Sequence, residues 1–224
     1  MNVQMFMEGV AKELTVLLAF LTLCVTRGQE TPSAHGLCSS GMNVFSSEGV
    51  YIEPIAKSSV RLHKLHKTFE DGHILSFEMN ATSPNGVVFY MASKHQNPSK
   101  SEFIALEIVD SYFRYHIKCS HLNAMLTVPR IVANDAQFHK ISFQRTRTRG
   151  RLTIDGRHFF KNFRVECKGF RSMIFGGLLP EDRTHTDPLQ KYESHFEGCI
   201  RNLDTSTGVL DEPRYHAVSQ CHNT

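Results

Sequence analysis

The 224-residue sequence lacks several features that would assign it to a known enzyme class or to a membrane. It contains no G-x-S-x-G, H-E-x-x-H, P-loop or G-x-G-x-x-G pattern, which argues against the enzymes that carry them. No stretch reaches about 18 apolar residues, so no transmembrane helix is expected. The formal net charge is only +3, which does not indicate a nucleic-acid partner. We therefore expect a protein that is neither an enzyme nor a nucleic-acid binder.

The first 28 residues have the pattern of a cleaved secretion signal. Residues 14–25 contain no charge and no turn former. This run is too short for a membrane-spanning helix, which needs about 20 residues, but it suits a signal-peptide core. Small residues at Thr26 and Gly28 precede the expected cleavage site, which leaves Gln29 as the mature N-terminus. The alternative is a buried amphipathic helix, and secretion is the prediction.

The sequence has few cysteines, and their number depends on that cleavage. Six are present, and loss of Cys24 with the signal leaves five. In an oxidising compartment five cysteines predict two disulfides and one remaining thiol. The five are Cys38, Cys119, Cys167, Cys199 and Cys221.

The rest of the chain has the pattern of successive short strands. Residues 29–47 are rich in Ser, Gly and Pro and are interpreted as a lead-in segment. Apolar runs separated by turn residues then recur at intervals of about 8–12 residues, which predicts an all-β antiparallel sandwich or jelly roll. The predicted strands are 73–81, 86–92, 103–109, 112–118, 124–128, 138–145, 151–155, 172–177 and 195–203.

Five sequence fragments identify a family resemblance. LSFEMNATSPNGVVFYMAS, SEFIALEIVDSYFRYHI, FHKISFQRTRTRGRLTIDG, IFGG and FEGCIRNL stand in the order and spacing of a laminin G-like domain over residues 48–221. The ending most resembles the last globular modules of laminin alpha chains. The resemblance implies a concanavalin-type β-sandwich that binds receptors, sulfated glycans or matrix glycans at one rim. Phe138 stands where the family usually has Trp, which accounts for the absence of Trp.

The resemblance also locates a calcium position, which this chain alters. Many laminin G-like domains hold one Ca²⁺ at the rim, and Glu102 matches its first acidic ligand. Lys168 occupies the second acidic position. Ca²⁺ takes about six to eight oxygen ligands, and an ammonium group there would repel it. We therefore expect no metal and no other cofactor.

The same comparison suggests how the cysteines pair. The family usually joins its Gly-Cys strand to a cysteine near the C-terminus, which implies a Cys199–Cys221 disulfide. Cys119 and Cys167 fall on the two loops that calcium would hold together, so a disulfide between them would hold the rim covalently. The alternative is that both remain buried thiols. Cys38 is then the odd thiol, free or available for an intermolecular disulfide.

Basic residues are concentrated between Phe138 and Arg171. Ten Lys and Arg are opposed there by two acidic residues, so this segment carries a net charge of +8. On one continuous strand Arg145, Arg147 and Arg149 would share a face, and guanidinium groups suit sulfate and carboxylate groups. This predicts a basic rim that binds heparan sulfate, another sulfated glycan, or an anionic matrix or cell-surface glycoprotein. The predicted binding residues are Lys140, Arg145, Arg147, Arg149, Arg151, Lys168 and Arg171.

One usable N-glycosylation sequon is present at Asn80, because the Asn97 sequon is blocked by Pro98. Asn80 would be exposed only if Leu75, Phe77 and Met79 face the core.

Two other functions remain open. A carrier of small apolar ligands, of the steroid-binding type, would need a pocket between the sheets, which Phe89, Phe103, Phe113 and Phe143 could instead fill. A sandwich-fold carbohydrate hydrolase would need two carboxylates about 5–10 Å apart. Glu107 and Asp110 are the nearest candidates, but on a strand they point to opposite faces. The main prediction is a secreted, non-catalytic, matrix-binding module.

Overall fold

A computed structural model of the chain describes residues 42–93, 101–146, 148–162, 169–183 and 195–221. Within these ranges the chain forms fourteen β-strands, a short 3₁₀ turn at Pro180–Asp182 and no α-helix. No helix within these ranges is long and apolar enough to span a membrane. The strands pair antiparallel in two seven-stranded sheets. This confirms the predicted all-β antiparallel sandwich.

The first sheet contains both ends of the described chain. In spatial order its strands are β10 (Arg157–Asn162), β9 (Arg149–Ile154), β8 (His139–Thr146), β3 (Ile74–Ala81), β12 (Gly198–Thr205), β1 (Val50–Ile52) and β14 (Val218–Gln220). β8, β9 and β10 follow one another in sequence and form one edge of this sheet.

The second sheet is built mainly from the middle of the chain. In spatial order its strands are β13 (Arg214–His216), β2 (Ser59–Leu62), β11 (Met173–Gly176), β4 (Gly86–Ser93), β5 (Glu102–Val109), β6 (Tyr112–Cys119) and β7 (Leu122–Val132). β13 and β2 come from distant parts of the sequence and are neighbours at one edge.

Alternation of apolar and polar residues determines which side of each strand faces the core. On β3, Leu75, Phe77 and Met79 are buried, and the residues between them are less buried or exposed. This is the pattern expected of a strand with one solvated face. Leu75, Phe77 and Met79 thus face the core, which is the arrangement that an exposed Asn80 requires.

Aromatic side chains fill the space between the sheets. Phe77 meets Phe175 edge-to-face with 5.5 Å between ring centroids, and Phe89 lies 5.9 Å from Phe143. Such tilted and edge-to-face contacts are favourable beyond the area they bury. Phe103, in contrast, is fully buried in a separate apolar cluster where it stacks on Tyr90, so the expectation that it fills the space between the sheets is wrong.

Five short or polar strands were not predicted from the sequence: β1, β2, β10, β13 and β14. Four of them have only three or four residues, too few to show an alternating pattern. The described fold also begins earlier than residue 48, because Val44 is fully buried and its carbonyl accepts a hydrogen bond from Leu203. Residues 42–47 of the predicted lead-in therefore pack on the sandwich, and residues 1–41 lie outside the described ranges.

Candidate functional site

Three of the predicted binding residues lie on the outer face of the first sheet. Lys140 is exposed on β8, and Arg149 and Arg151 point outward from β9. Arg151 pairs across the sheet with Gln144 on one side and Phe160 on the other. Arg149 pairs in the same way with Thr146 and Asn162. Each of these two sets of three cross-strand neighbours forms a row on the outer face. Together the two rows carry polar and basic side chains beside one aromatic ring.

These two rows enclose a surface pocket of about 270 Å³. The Arg149 guanidinium lies 4.9 Å from the centroid of the Phe160 ring, and its Nε donates a 3.1 Å hydrogen bond to Asn162 Oδ1. Phe160 is 45% exposed. The described lining contains two guanidinium groups and no carboxylate; it consists of Gln144, Thr146, Thr148, Arg149, Arg151 and Phe160.

Among the described residues, Arg151 is the pocket cation that holds no partner. It is half-buried, and within the described ranges it has no hydrogen bond or ion pair. Arg149, in contrast, is held in place by Asn162 and Phe160. One fixed and one available guanidinium, open to solvent beside an apolar ring, form an arrangement that suits an anionic group attached to a partly apolar body.

Arg145 does not belong to this surface, so its predicted role in binding is wrong. It is only 1% exposed, and its Nε donates a 2.6 Å hydrogen bond to Asp71 Oδ1. Its guanidinium also lies 5.8 Å from the Phe170 ring. Arg145 follows Ile141 and Phe143 on the core side of β8, because alternate residues of a strand share a face. The expectation that Arg145 and Arg149 share a face is therefore also wrong.

The remaining predicted binding residues do not join the pocket. Lys140 lies four residues from Gln144 along β8, about 13 Å at the usual strand rise. Arg171 lies on the other sheet's side of the molecule, where its carbonyl accepts a hydrogen bond from Leu65, just beyond β2. Arg147 and Lys168 lie outside the described residues. The single basic rim expected from the sequence is thus divided between the two sheets.

Phe160 and the pocket's amide and hydroxyl groups were missed by the sequence analysis. β10 reads RHFFKN and is exposed at almost every position, so it lacks the alternation that marks a strand. The available signal was an aromatic pair within a wholly polar stretch. Single exposed apolar side chains are common on protein surfaces, so this signal alone does not identify a binding site.

Glu102, which matches the first calcium ligand of the family, already contacts a backbone amide of the protein. Glu102 is 4% exposed, and its Oε1 accepts a 3.1 Å hydrogen bond from the Ser120 amide. Its carboxylate therefore already connects β5 to the turn after Cys119. Within the described ranges no cluster of three His, Cys, Asp or Glu side chains could hold a metal, and the sequence has Lys168 at the second acidic position.

Two cysteines are joined in the described structure. Cys199 on β12 and Cys221 after β14 form a disulfide with a Cα–Cα distance of 5.7 Å. The bond links strands on either side of β1, which pairs with both. Cys119 is also disulfide-bonded. Cys167 and Cys38 lie outside the described residues.

Asn80 lies on the outer face of the first sheet, opposite Cys199. It is half-buried, and its amide donates a long 3.4 Å hydrogen bond to the carbonyl of Ala136. A glycan on this side chain would replace that contact and project from the same sheet that carries the pocket.

The described core offers little support for the two alternative functions. The aromatic rings between the sheets occupy the position that a carried apolar ligand would need. Glu107 is buried beside His116, with 3.7 Å between Oε1 and Nδ1, and Asp110 lies in the exposed turn that follows. These two carboxylates do not face one space, as a glycosidase would require.

Two antiparallel sheets with a solvent-open pocket on one outer face define a β-sandwich binding module. The family model for the Laminin G domain matches residues 79–207. The chain therefore belongs to the laminin G domain family, whose members are generally non-catalytic binding modules. This confirms the resemblance on which the sequence analysis relied.

Similar proteins agree with this assignment. Laminin subunit alpha of Drosophila melanogaster is 26% identical over 140 residues, covering 58% of this chain and 3% of the relative. Laminin subunit alpha-1 of Mus musculus is 29% identical over 142 residues, covering 58% of this chain and 4% of the relative. The mouse laminin alpha1 domains LG4-5 superpose with a TM-score of 0.66 at 16% identity, covering 87% of this chain and 52% of that structure. The chain spans only 3–9% of the curated relatives that it matches.

Proposed function

We propose that this module binds anionic glycans in the pocket formed by Arg149, Arg151 and Phe160. The observation that carries the proposal is the half-buried Arg151 guanidinium, which has no partner among the described residues and stands beside an exposed ring. A sulfate or carboxylate group would supply the missing partner. The Phe160 ring would pack against the apolar face of the sugar that carries it.

The ligand class that suits this pocket best is a sulfated glycan of the heparan sulfate type. Two guanidinium groups in adjacent rows can each bind one anionic group, and such groups recur along these chains. Arg149 is already fixed by Asn162 and Phe160, so little side-chain entropy is lost when it binds. An anionic glycoprotein of the matrix or cell surface is the alternative partner, because it would present similar groups.

Replacing both pocket arginines tests the proposal. We expect Arg149→Gln/Arg151→Gln to weaken binding of a heparin oligosaccharide about 30-fold. Each lost contact at a partly exposed guanidinium contributes about 1 kcal/mol, and 1.4 kcal/mol corresponds to a factor of ten. Isothermal titration calorimetry near physiological salt measures the change.

A charge-matched variant separates the pocket from general attraction. Lys140→Gln/Arg157→Gln removes two exposed charges from the same sheet but leaves the pocket intact, and we expect it to cost less than threefold. Equal losses in the two variants would mean that net charge, not the pocket, drives binding. Phe160→Ala adds a second discriminator, because it should weaken the oligosaccharide several-fold and weaken inorganic sulfate much less.

We also propose that the protein is secreted into the extracellular matrix. The Cys199–Cys221 disulfide supports an oxidising compartment, and the first 28 residues have the pattern of a cleaved signal. We propose further that Cys119 pairs with Cys167, that Asn80 carries a glycan, and that Cys38 is free or bonded to another chain. No bound calcium is proposed.

Mass spectrometry of the product from secreting cells tests these assignments together. We expect the N-terminus at Gln29, a mass increase that glycosidase removes and Asn80→Gln abolishes, and a Cys119–Cys167 cross-linked peptide in a non-reduced digest. Retention of residues 1–28 on a soluble intracellular product would contradict secretion. Unlinked Cys119 and Cys167 peptides would contradict that pairing.

A further inference from the structure

A second cationic surface lies on the opposite sheet, where β2 and β13 pair. Val60 and Leu62 of β2 face the core, so Arg61 between them faces outward. Arg214 stands directly opposite Arg61, and His216 stands opposite Ser59. His63 follows β2 and is exposed. We call the side chains of Arg61, His63, Arg214 and His216 the β2–β13 patch.

Among the described residues, the carboxylate that acts on this patch is that of Asp182, which is paired with Arg61. Asp182 accepts hydrogen bonds from both terminal nitrogens of Arg61, at 2.7 Å each. Arg214 is exposed and has no ion pair within the described ranges. Asp182 balances the charge of Arg61, so Arg214 is the guanidinium of this patch that lacks an anionic partner among the described residues.

The pKa values of both histidines are lowered by their surroundings in this patch. Partial burial of the largely exposed His63 ring lowers its pKa, and the charges of Arg214, Arg61 and His216 lower it further. Burial likewise lowers the pKa of His216, with further lowering by Arg61 and Arg214. Asp182 acts in the opposite direction on both pKa values. Both lowered pKa values favour the uncharged imidazoles near neutral pH, and the positive charges of Arg61 and Arg214 add to the larger effect of partial burial.

We infer that the β2–β13 patch is a second binding site for the sulfate groups of a polyanionic glycan, and that acidification strengthens it. Charge complementarity identifies the ligand class: among the described residues, Arg214, which has no ion pair, and two imidazoles that can gain charge stand beside Arg61, whose own charge Asp182 already balances. Sulfate esters stay ionised throughout the range in which histidine titrates. The site is independent of the Arg149–Arg151 pocket because its strands belong to the other sheet.

The direction of the pH dependence follows from linkage. An anion bound beside His63 and His216 favours their protonated forms, so the complex takes up protons that the free protein does not hold. Affinity therefore rises as pH falls through the range just below the ordinary histidine pKa of about 6.5. In the free protein the sign is reversed: the lowered pKa values make the folded state less stable as pH falls through the same range.

The test uses the Arg149→Gln/Arg151→Gln protein, in which the pocket no longer contributes. The probe is a size-fractionated dextran sulfate oligosaccharide, which carries no carboxylate. We expect it to bind at least about fivefold more tightly at about pH 5.5 than at about pH 7.5. Adding His63→Gln/His216→Gln should reduce that difference to less than about twofold, and adding Arg214→Gln should weaken binding at both pH values.

A matched histidine variant distinguishes the patch from the rise in overall charge. His121 and His158 are exposed elsewhere on the sandwich, and His121→Gln/His158→Gln should retain the pH dependence. The inference is overturned if His63→Gln/His216→Gln retains it as well, or if Arg214→Gln leaves the affinity unchanged. Far-UV circular dichroism confirms that each variant is folded. Because the pocket is already disabled, failure here does not bear on the proposed function.

Discussion

Gly198→Ala is expected to prevent the domain from folding. Gly198 begins β12 with φ of +148°, a value that side-chain-bearing residues rarely adopt. A Cβ at this position would overlap the carbonyl oxygen of Asn80 and lie 2.9 Å from Ala81 Cα. Both are backbone atoms of the neighbouring strand β3, so neither can move without separating the two central strands. We expect a loss of at least about 4 kcal/mol, the range of the most severe substitutions.

A second glycine provides the control. Gly156 also has a positive φ, +77°, in the turn between β9 and β10, but a Cβ there would have no neighbour within 4 Å. Gly156→Ala should cost only about 1–2 kcal/mol, the usual cost of the left-handed conformation. Urea unfolding and soluble yield compare the two. Similar costs in the two variants would mean that backbone strain, not the close approach to β3, explains the requirement for glycine.

The sandwich could be predicted from the sequence wherever strands are long and alternate. β3 and β8 bury every second residue, and this pattern is visible in the letters alone. β10 could not be predicted in this way, because its backbone pairs with β9 while its side chains stay in solvent. Such a strand is held by its neighbour's hydrogen bonds, which do not appear in a hydrophobic pattern.

The candidate site was predicted in its chemistry but not in its geometry. Arg145 and Arg149 are four apart, which would place them on one face of a continuous strand. The chain instead turns back, and Arg145 pairs with Gly150 while Thr146 pairs with Arg149. In this register odd-numbered residues face the core on β8 and the solvent on β9. Predicting this would require knowing where the hairpin turns.

No local sequence pattern could predict the β2–β13 patch. Arg61 and Arg214 are about 150 residues apart, and each stands in a strand too short to be recognised. Only the pairing of the two strands brings these charges together. Counting charge along the sequence therefore predicted one basic surface, from the segment 138–171, whose residues the fold separates. It could not predict the β2–β13 patch, whose residues only the fold brings together.

Asp71→Ala is expected to destabilise the protein by about 3 kcal/mol. The Asp71 carboxylate binds the buried Arg145 guanidinium at 2.6 Å and is itself 27% exposed. Removing it leaves a cation in the core without the carboxylate that compensates its lost hydration, a change that typically costs about 3–5 kcal/mol. Partial exposure of Asp71 places the estimate at the lower end. For a domain of this size the melting temperature should fall by roughly 6–12 °C.

Glu78→Ala is the matched control, because Glu78 binds Arg201 at 2.8 Å with both side chains partly exposed, 25% and 29%. A pair of this kind usually contributes less than about 1 kcal/mol, so Glu78→Ala should lower the melting temperature of the protein by only a few degrees. Asp71→Asn retains an acceptor for Arg145 but not the charge, and it should lie between the other two. If Asp71→Ala were no more destabilising than Glu78→Ala, the Asp71 carboxylate would not be the group that stabilises the buried Arg145 guanidinium.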